Sequence, residues 1–236
     1  MIPLLPNFLL PLGPAQGLGT DPAVIAVVVV AAILSLSFHE AAHAWAAKVC
    51  GDDTAERMGR LTLNPIAHID LMMTVLFPAL TFYMSGGGMF FGGAKPVPVD
   101  PTRLRHPHRD NAFVAIAGPL SNLFLATLFM LAYHLVRISG QWEGLLLPDL
   151  LVKIAAFNVL LVVFNLVPIP PLDGSRVVRW LLPDSLRDPY NELERFGMFI
   201  ILGLVFFFPP FQIALGESIY WVTNGLYQLV TLGGLW

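Results

Sequence analysis

Apolar positions in this chain come in long unbroken blocks, not in the alternation of a half-buried strand or the narrow stripe of a soluble helix. No charged residue occurs between Ala23 and Phe38, and the same holds across 111–136, 154–172, 196–216 and 218–236. A helix crosses a bilayer with ~20 apolar residues, so these blocks predict membrane helices over about 21–49, 111–137, 150–172, 195–209 and 211–235. Pro209-Pro210 breaks the last pair. Segment 66–100 is different. Leu71 to Met84 is helix-like, but Gly86-Gly87-Gly88, Gly92-Gly93 and Pro96-Val97-Pro98 cannot sustain a helix in lipid. That segment is expected to dip into the bilayer and return, with a short β-hairpin-like part running from Met89 to Val99. The first 20 residues are apolar, carry prolines at 3, 6, 11 and 14 and lack Lys or Arg, which suits an interfacial lead-in and not a signal peptide. The expected fold is a single all-α polytopic membrane domain over 1–236, with about five to six transmembrane helices.

Composition supports the membrane reading. Hydrophobic residues make up 56% of the chain and charged residues 12%, against roughly 25% charged in ordinary soluble domains. A net charge of −3 gives no basic surface for nucleic acid. The single cysteine, Cys50, can form neither an internal disulfide nor a cysteine-ligated zinc module.

Charge also orients the segments, because Lys and Arg accumulate in cytoplasmic loops. If 66–100 crossed the bilayer, the two sides would hold 5 and 8 basic residues. If it returns on its own side, one face holds 11 and only Arg137 and Lys153 lie opposite. The re-entrant arrangement is therefore expected. Such non-helical backbone at depth must be buried in protein or line a wet cavity.

Candidate chemistry sits inside the first span as His39-Glu40-Ala41-Ala42-His43. Histidines four apart share one helical face and can hold one metal ion together. Glu40, rotated by about 100°, is the residue type that takes a proton from water beside that metal. Three ionisable groups in an apolar helix mark a functional site, since a charged one costs ~2.5–3.5 kcal/mol on insertion scales. A catalytic zinc needs a third protein ligand. Asp173 is the only acid between Lys153 and Asp184, and Pro168, Pro170 and Pro171 just before it must unwind the helix that brings it. With 66–100 re-entrant, its depth matches that of the histidines. Two alternatives stand beside it: Asp173 as the cap of a helix starting at Ser175, and Glu56 as third ligand from the charged loop after the first span.

Three motifs then occur in order: His39-Glu40-x-x-His43; Gly118-Pro119-Leu120-Ser121-Asn122; and Asn165-x-x-Pro168-x-Pro170-Pro171-Leu172-Asp173-Gly174. Together they resemble the site-2 protease family of intramembrane zinc metalloproteases, in its compact bacterial and archaeal form without a PDZ insertion or nucleotide module. The resemblance implies one Zn2+ per chain held by His39, His43 and Asp173, with Glu40 as general base and acid. It also implies a three-helix catalytic core, and a role for Asn122 and Asn165 in binding substrate or the oxyanion. The expected activity is hydrolysis of a peptide bond in or near the transmembrane segment of a membrane-protein substrate. The expected location is the lipid bilayer of a prokaryotic cell (inner) membrane, with the site nearer the cytoplasmic face. The exposed edge of the hairpin expected from Met89 to Val99 would pair with an unwound substrate. A carrier for divalent metal or protons is the rival class, but it should show paired sites or related halves, and the sequence shows one site and no repeat.

Overall fold

A computed structural model describes residues 22–84, 92–140 and 146–231. The regular elements among the described residues are all helical, with no strand. In chain order the helices are α1 (Pro22–Cys50), α2 (Thr54–Arg57), α3 (Phe77–Met84), α4 (Pro107–Ile138), α5 (Leu147–Asn165), α6 (Asp173–Leu181), α7 (Asp184–Glu192), α8 (Glu194–Phe207) and α9 (Pro209–Val230). A 3-10 turn at Pro65–His68 and a π-helical turn at Leu71–Leu76 lead into α3. Asp70 caps that π turn, accepting from the amides of Met72 and Met73 at 3.0 and 2.9 Å.

Helices α1, α4 and α5 pack against one another, as the expected three-helix core requires, and α4 also carries α6 and α9. Small residues allow the close approach. Ala44, Ala47, Ala112, Ala115, Ala126 and Ala155 are buried at or near full coverage, which is how helices pack where lipid is as apolar as the side chains. Farther along, Ala126 of α4, Val159 of α5 and Ile219 of α9 form one buried cluster. Val27, Val30 and Leu34 on the outer flank of α1 stay exposed, as lipid-facing residues do.

Three helices, Val24–Cys50, Pro107–Ile138 and Leu147–Asn165, are long and apolar enough to cross a membrane. The pair α8 and α9 adds a fourth crossing if taken as one span, bent by 85° at Phe208. The five to six expected spans counted α8 and α9 separately, and α8 alone, at 14 residues, is short for a bilayer. The third core helix ends at Asn165 and not at Leu172, because Pro168, Pro170 and Pro171 have no amide to donate. Segment 71–84 is helical as expected. The expected hairpin falls partly on residues 85–91, and the lead-in on 1–20, both outside the described residues. Residues 92–100 take part in no strand ladder.

Candidate metal centre

His39 and His43 lie on the buried face of α1, 4% and 7% exposed. Each ring is fixed from behind. The Nδ1 of His43 is 2.7 Å from the Val114 carbonyl oxygen, which can only accept, so this nitrogen carries the proton. The Nδ1 of His39 is 2.6 Å from Oδ1 of Asn122 on α4. Their Nε2 atoms are therefore turned toward each other, 3.0 Å apart. Two ring lone pairs at that distance repel unless a cation lies between them.

Asp173 supplies the opposite charge. The proline-broken loop after α5 delivers it as the first residue of α6, where it makes no capping bond. Its Oδ2 lies 3.2 Å from His39 Nε2 and 3.4 Å from His43 Nε2, buried and without a hydrogen-bond partner. Across these residues, potential ligand atoms all fall within 4.8 Å of one another. A tetrahedral ion with bonds of ~2.0–2.1 Å sets its ligand atoms about 3.3–3.4 Å apart. The three atoms fit a zinc ion, and the orphaned carboxylate oxygen is what such an ion would satisfy.

The neighbouring glycines explain how the backbones come so close. A Cβ on Gly118 would strike the His39 and His43 rings, so α4 can back the imidazoles only with glycine there. A Cβ on Gly174 would strike the Leu166 carbonyl, and one on Gly197 of α8 the Pro170 carbonyl. Tyr190 donates to the Pro168 carbonyl oxygen at 2.9 Å, and Arg176 pairs with Glu194 at 2.7 Å. Helices α6 to α8 thus grip the loop that carries Asp173.

In front of α1, residues 93–100 form a strap. Its backbone is pinned at nearly every step: Gly93 to Met73 O at 2.9 Å, Lys95 to His68 O at 2.8 Å, and Asp100 to Asp52 Oδ2 at 2.7 Å. Arg60, 6% exposed, donates to the carbonyls of Lys95 and Pro96 at 3.2 and 3.1 Å. Between two prolines, the Val97 amide donates to Glu40 Oε2 at 2.9 Å. Thr102 hydroxyl and amide hold the Asp100 carboxyl below the usual carboxylate range, helped by Arg103. A cavity of about 340 Å³ opens beside the strap, lined by residues including Arg60, Ala67, Lys95 and Pro96.

Of the residues singled out in the sequence, His39, His43 and Asp173 converge, and Glu40 sits beside them under the strap. Asn122 lies behind His39, fully buried, and its amide nitrogen donates to Ser35 O and Asn158 Oδ1. Asn165 ends α5 and donates to the Leu161 carbonyl at 3.0 Å. Glu56 is outside the cluster, paired with Lys48 at 2.6 Å. Asn158, Ser35, Arg60 and Asp52 were not anticipated. For Asn158 the signal was present, since a lone amide inside an apolar span needs a partner.

Comparison with known proteins points to a family of zinc metalloproteases. The family model for peptidase family M50 matches residues 143–208. The relatives named "Putative zinc metalloprotease" include YwhC and Rip2. YwhC of Bacillus subtilis (strain 168) is 38% identical over 82% of this chain and 84% of its own length. Rip2 of Mycolicibacterium smegmatis (strain ATCC 700084 / mc(2)155) is 29% identical over 84% of this chain and 73% of its own. No solved structure matches the chain.

Proposed function

Because the chain belongs to peptidase family M50, the site-2 proteases, and is a zinc metalloprotease of the membrane, we propose that it cleaves a peptide bond in or near a substrate's transmembrane segment. The observation that carries this reading is the convergence of His39, His43 and Asp173 between apolar helices, with Glu40 beside them. His39 and His43 through Nε2, and Asp173 through Oδ2, would hold the metal. A zinc ion held there would supply Lewis acidity, lowering the pKa of a bound water toward ~7.

Glu40 does the proton work. With Oε2 engaged by the Val97 amide, its other oxygen takes the proton from the attacking water and returns it to the leaving nitrogen. Asn122, whose amide is wholly engaged behind His39, serves the site by orienting that ring. Asn165, at the C-terminal end of α5, remains the candidate to contact substrate or oxyanion. The strap of residues 93–100 borders the route by which an unwound substrate segment reaches Glu40, since a helix hides its carbonyls in its own hydrogen bonds. The 11 basic residues of the re-entrant topology support a site nearer the cytoplasmic face. The whole described chain acts as one peptidase domain in this reading.

The test is cleavage of a reporter with one transmembrane helix by the purified protein in detergent or lipid, with the product ends sequenced. Wild type should cut within or next to the apolar segment. Glu40→Gln should lower the rate by about 10²–10⁴-fold, the usual contribution of a general base. Full activity in Glu40→Gln, or cuts confined to soluble loops, would refute the proposal.

A further inference from the structure

We infer that Asn158 is a positioning residue for the metal centre, acting through Asn122 to hold His39 in the one tautomer whose Nε2 lone pair can take the metal. Asn158 lies on α5 and touches neither histidine. It is fully buried, as is Asn122.

The orientation of both amides follows from groups that can act in only one way. Asn158 Nδ2 is 2.9 Å from the Ile154 carbonyl, an obligate acceptor, so the nitrogen end of Asn158 faces its own helix. Its second hydrogen reaches Ser35 Oγ at 3.0 Å. The oxygen end of Asn158 must then face Asn122, whose Nδ2 meets it at 2.9 Å. A second fixed acceptor, the Ser35 carbonyl at 3.3 Å, takes the other Asn122 hydrogen. With its nitrogen committed twice, Asn122 can offer only Oδ1 to His39, at 2.6 Å. That makes His39 Nδ1 the proton carrier and leaves Nε2 bare, facing His43 and Asp173.

Were Asn122 turned over, its amide would present donors to His39 Nδ1. The ring proton would move to Nε2 and point into the cradle, where it blocks coordination. His43 needs no such device, because the Val114 carbonyl sets its tautomer directly. His39 has no backbone acceptor behind it and depends on a relay that ends on the backbone of α1 and α5. Partners of this kind, which orient a ligating histidine, commonly change metal affinity by 10–100-fold when removed.

This inference rests on His39 being a ligand, and the experiment separates the two. Zinc affinity of the full-length protein in detergent is measured by competition with a chromophoric chelator, beside the thermal midpoint in excess chelator. Asn158→Leu should bind zinc about 10–100-fold more weakly. Asn158→Asp, whose protonated carboxyl can donate to Ile154 and accept from Asn122, should recover most of that loss. A purely structural asparagine would lower the metal-free midpoint in both variants and leave zinc affinity untouched, and that result would overturn the inference. If Asn158→Leu does not accumulate, Asn158→Ala carries the same expectation. Unchanged zinc affinity in His39→Ala would overturn the ligand assignment itself, and the relay with it.

Discussion

The back and the front of the candidate centre are built by opposite means. Behind the metal cradle, side chains hold side chains: the His39 and His43 rings rest on Asn122 and on the Val114 carbonyl, all within packed helices. In front, a segment without regular structure is held by buried side chains, Arg60, Asp52 and Glu40, that grasp its backbone. The back is saturated and closed, which suits a wall that must keep two imidazoles within a few tenths of an ångström of one geometry. Hydrogen bonds at the front can be exchanged one at a time. A substrate strand pairing with the strap would compete for the same backbone groups that hold it, so in the proposed reading recognition and access would meet in residues 93–100.

Breaking the back should cost most. Removing zinc with a chelator should abolish cleavage, and restoring zinc should return it, because the Asp173 carboxylate and two facing lone pairs cannot do its chemistry alone. Gly118→Ala comes next. Its methyl would strike both rings, so either the imidazoles or α4 must shift. Zinc content and activity should both fall by about tenfold or more, since one such misplacement can cost ~10²-fold in rate. A fully active Gly118→Ala would mean that the rings have room the packing does not show.

Loosening the front should leave the metal in place. Arg60→Ala removes the donor to two strap carbonyls. Zinc content is expected to stay near wild type while cleavage drops by roughly tenfold, because charged hydrogen bonds of this kind contribute about 1.5–3 kcal/mol. Loss of zinc in Arg60→Ala would erase the distinction between the two sides. The smallest effect is expected at Glu56→Ala. Its exposed pair with Lys48 is of a kind worth ~0–1 kcal/mol, so zinc content and activity should change less than about twofold. A lost metal there would restore Glu56 as a ligand.

How well the sequence revealed each side follows from the same contrast. His39, Glu40 and His43 stand out because ionisable residues are expensive in an apolar helix. Asp173 stands out as the sole acid across 30 residues, reached by prolines that must end the preceding helix. Both signals are local. Arg60 and Asp52 lie in a charged stretch where most side chains are solvated, and only the folded chain shows them buried under the strap. Asn158 was hidden for another reason. Its partners are 36 and 123 positions away, and no periodicity along one helix reveals which amides meet across three. The end of α5 lay seven residues before the expected boundary because apolar composition continues through a loop that prolines have already unwound. Among the described residues three or four spans pass by length and composition, since α8 is apolar enough for lipid but too short to cross alone.

Whether one zinc ion is shared by α1 and the start of α6 is decided by elemental analysis of the detergent-purified protein. About one zinc per chain in wild type, lost in Asp173→Ala while the variant still folds, is the predicted result. A wild-type protein that binds no zinc, or an Asp173→Ala variant that retains its full complement, would contradict it.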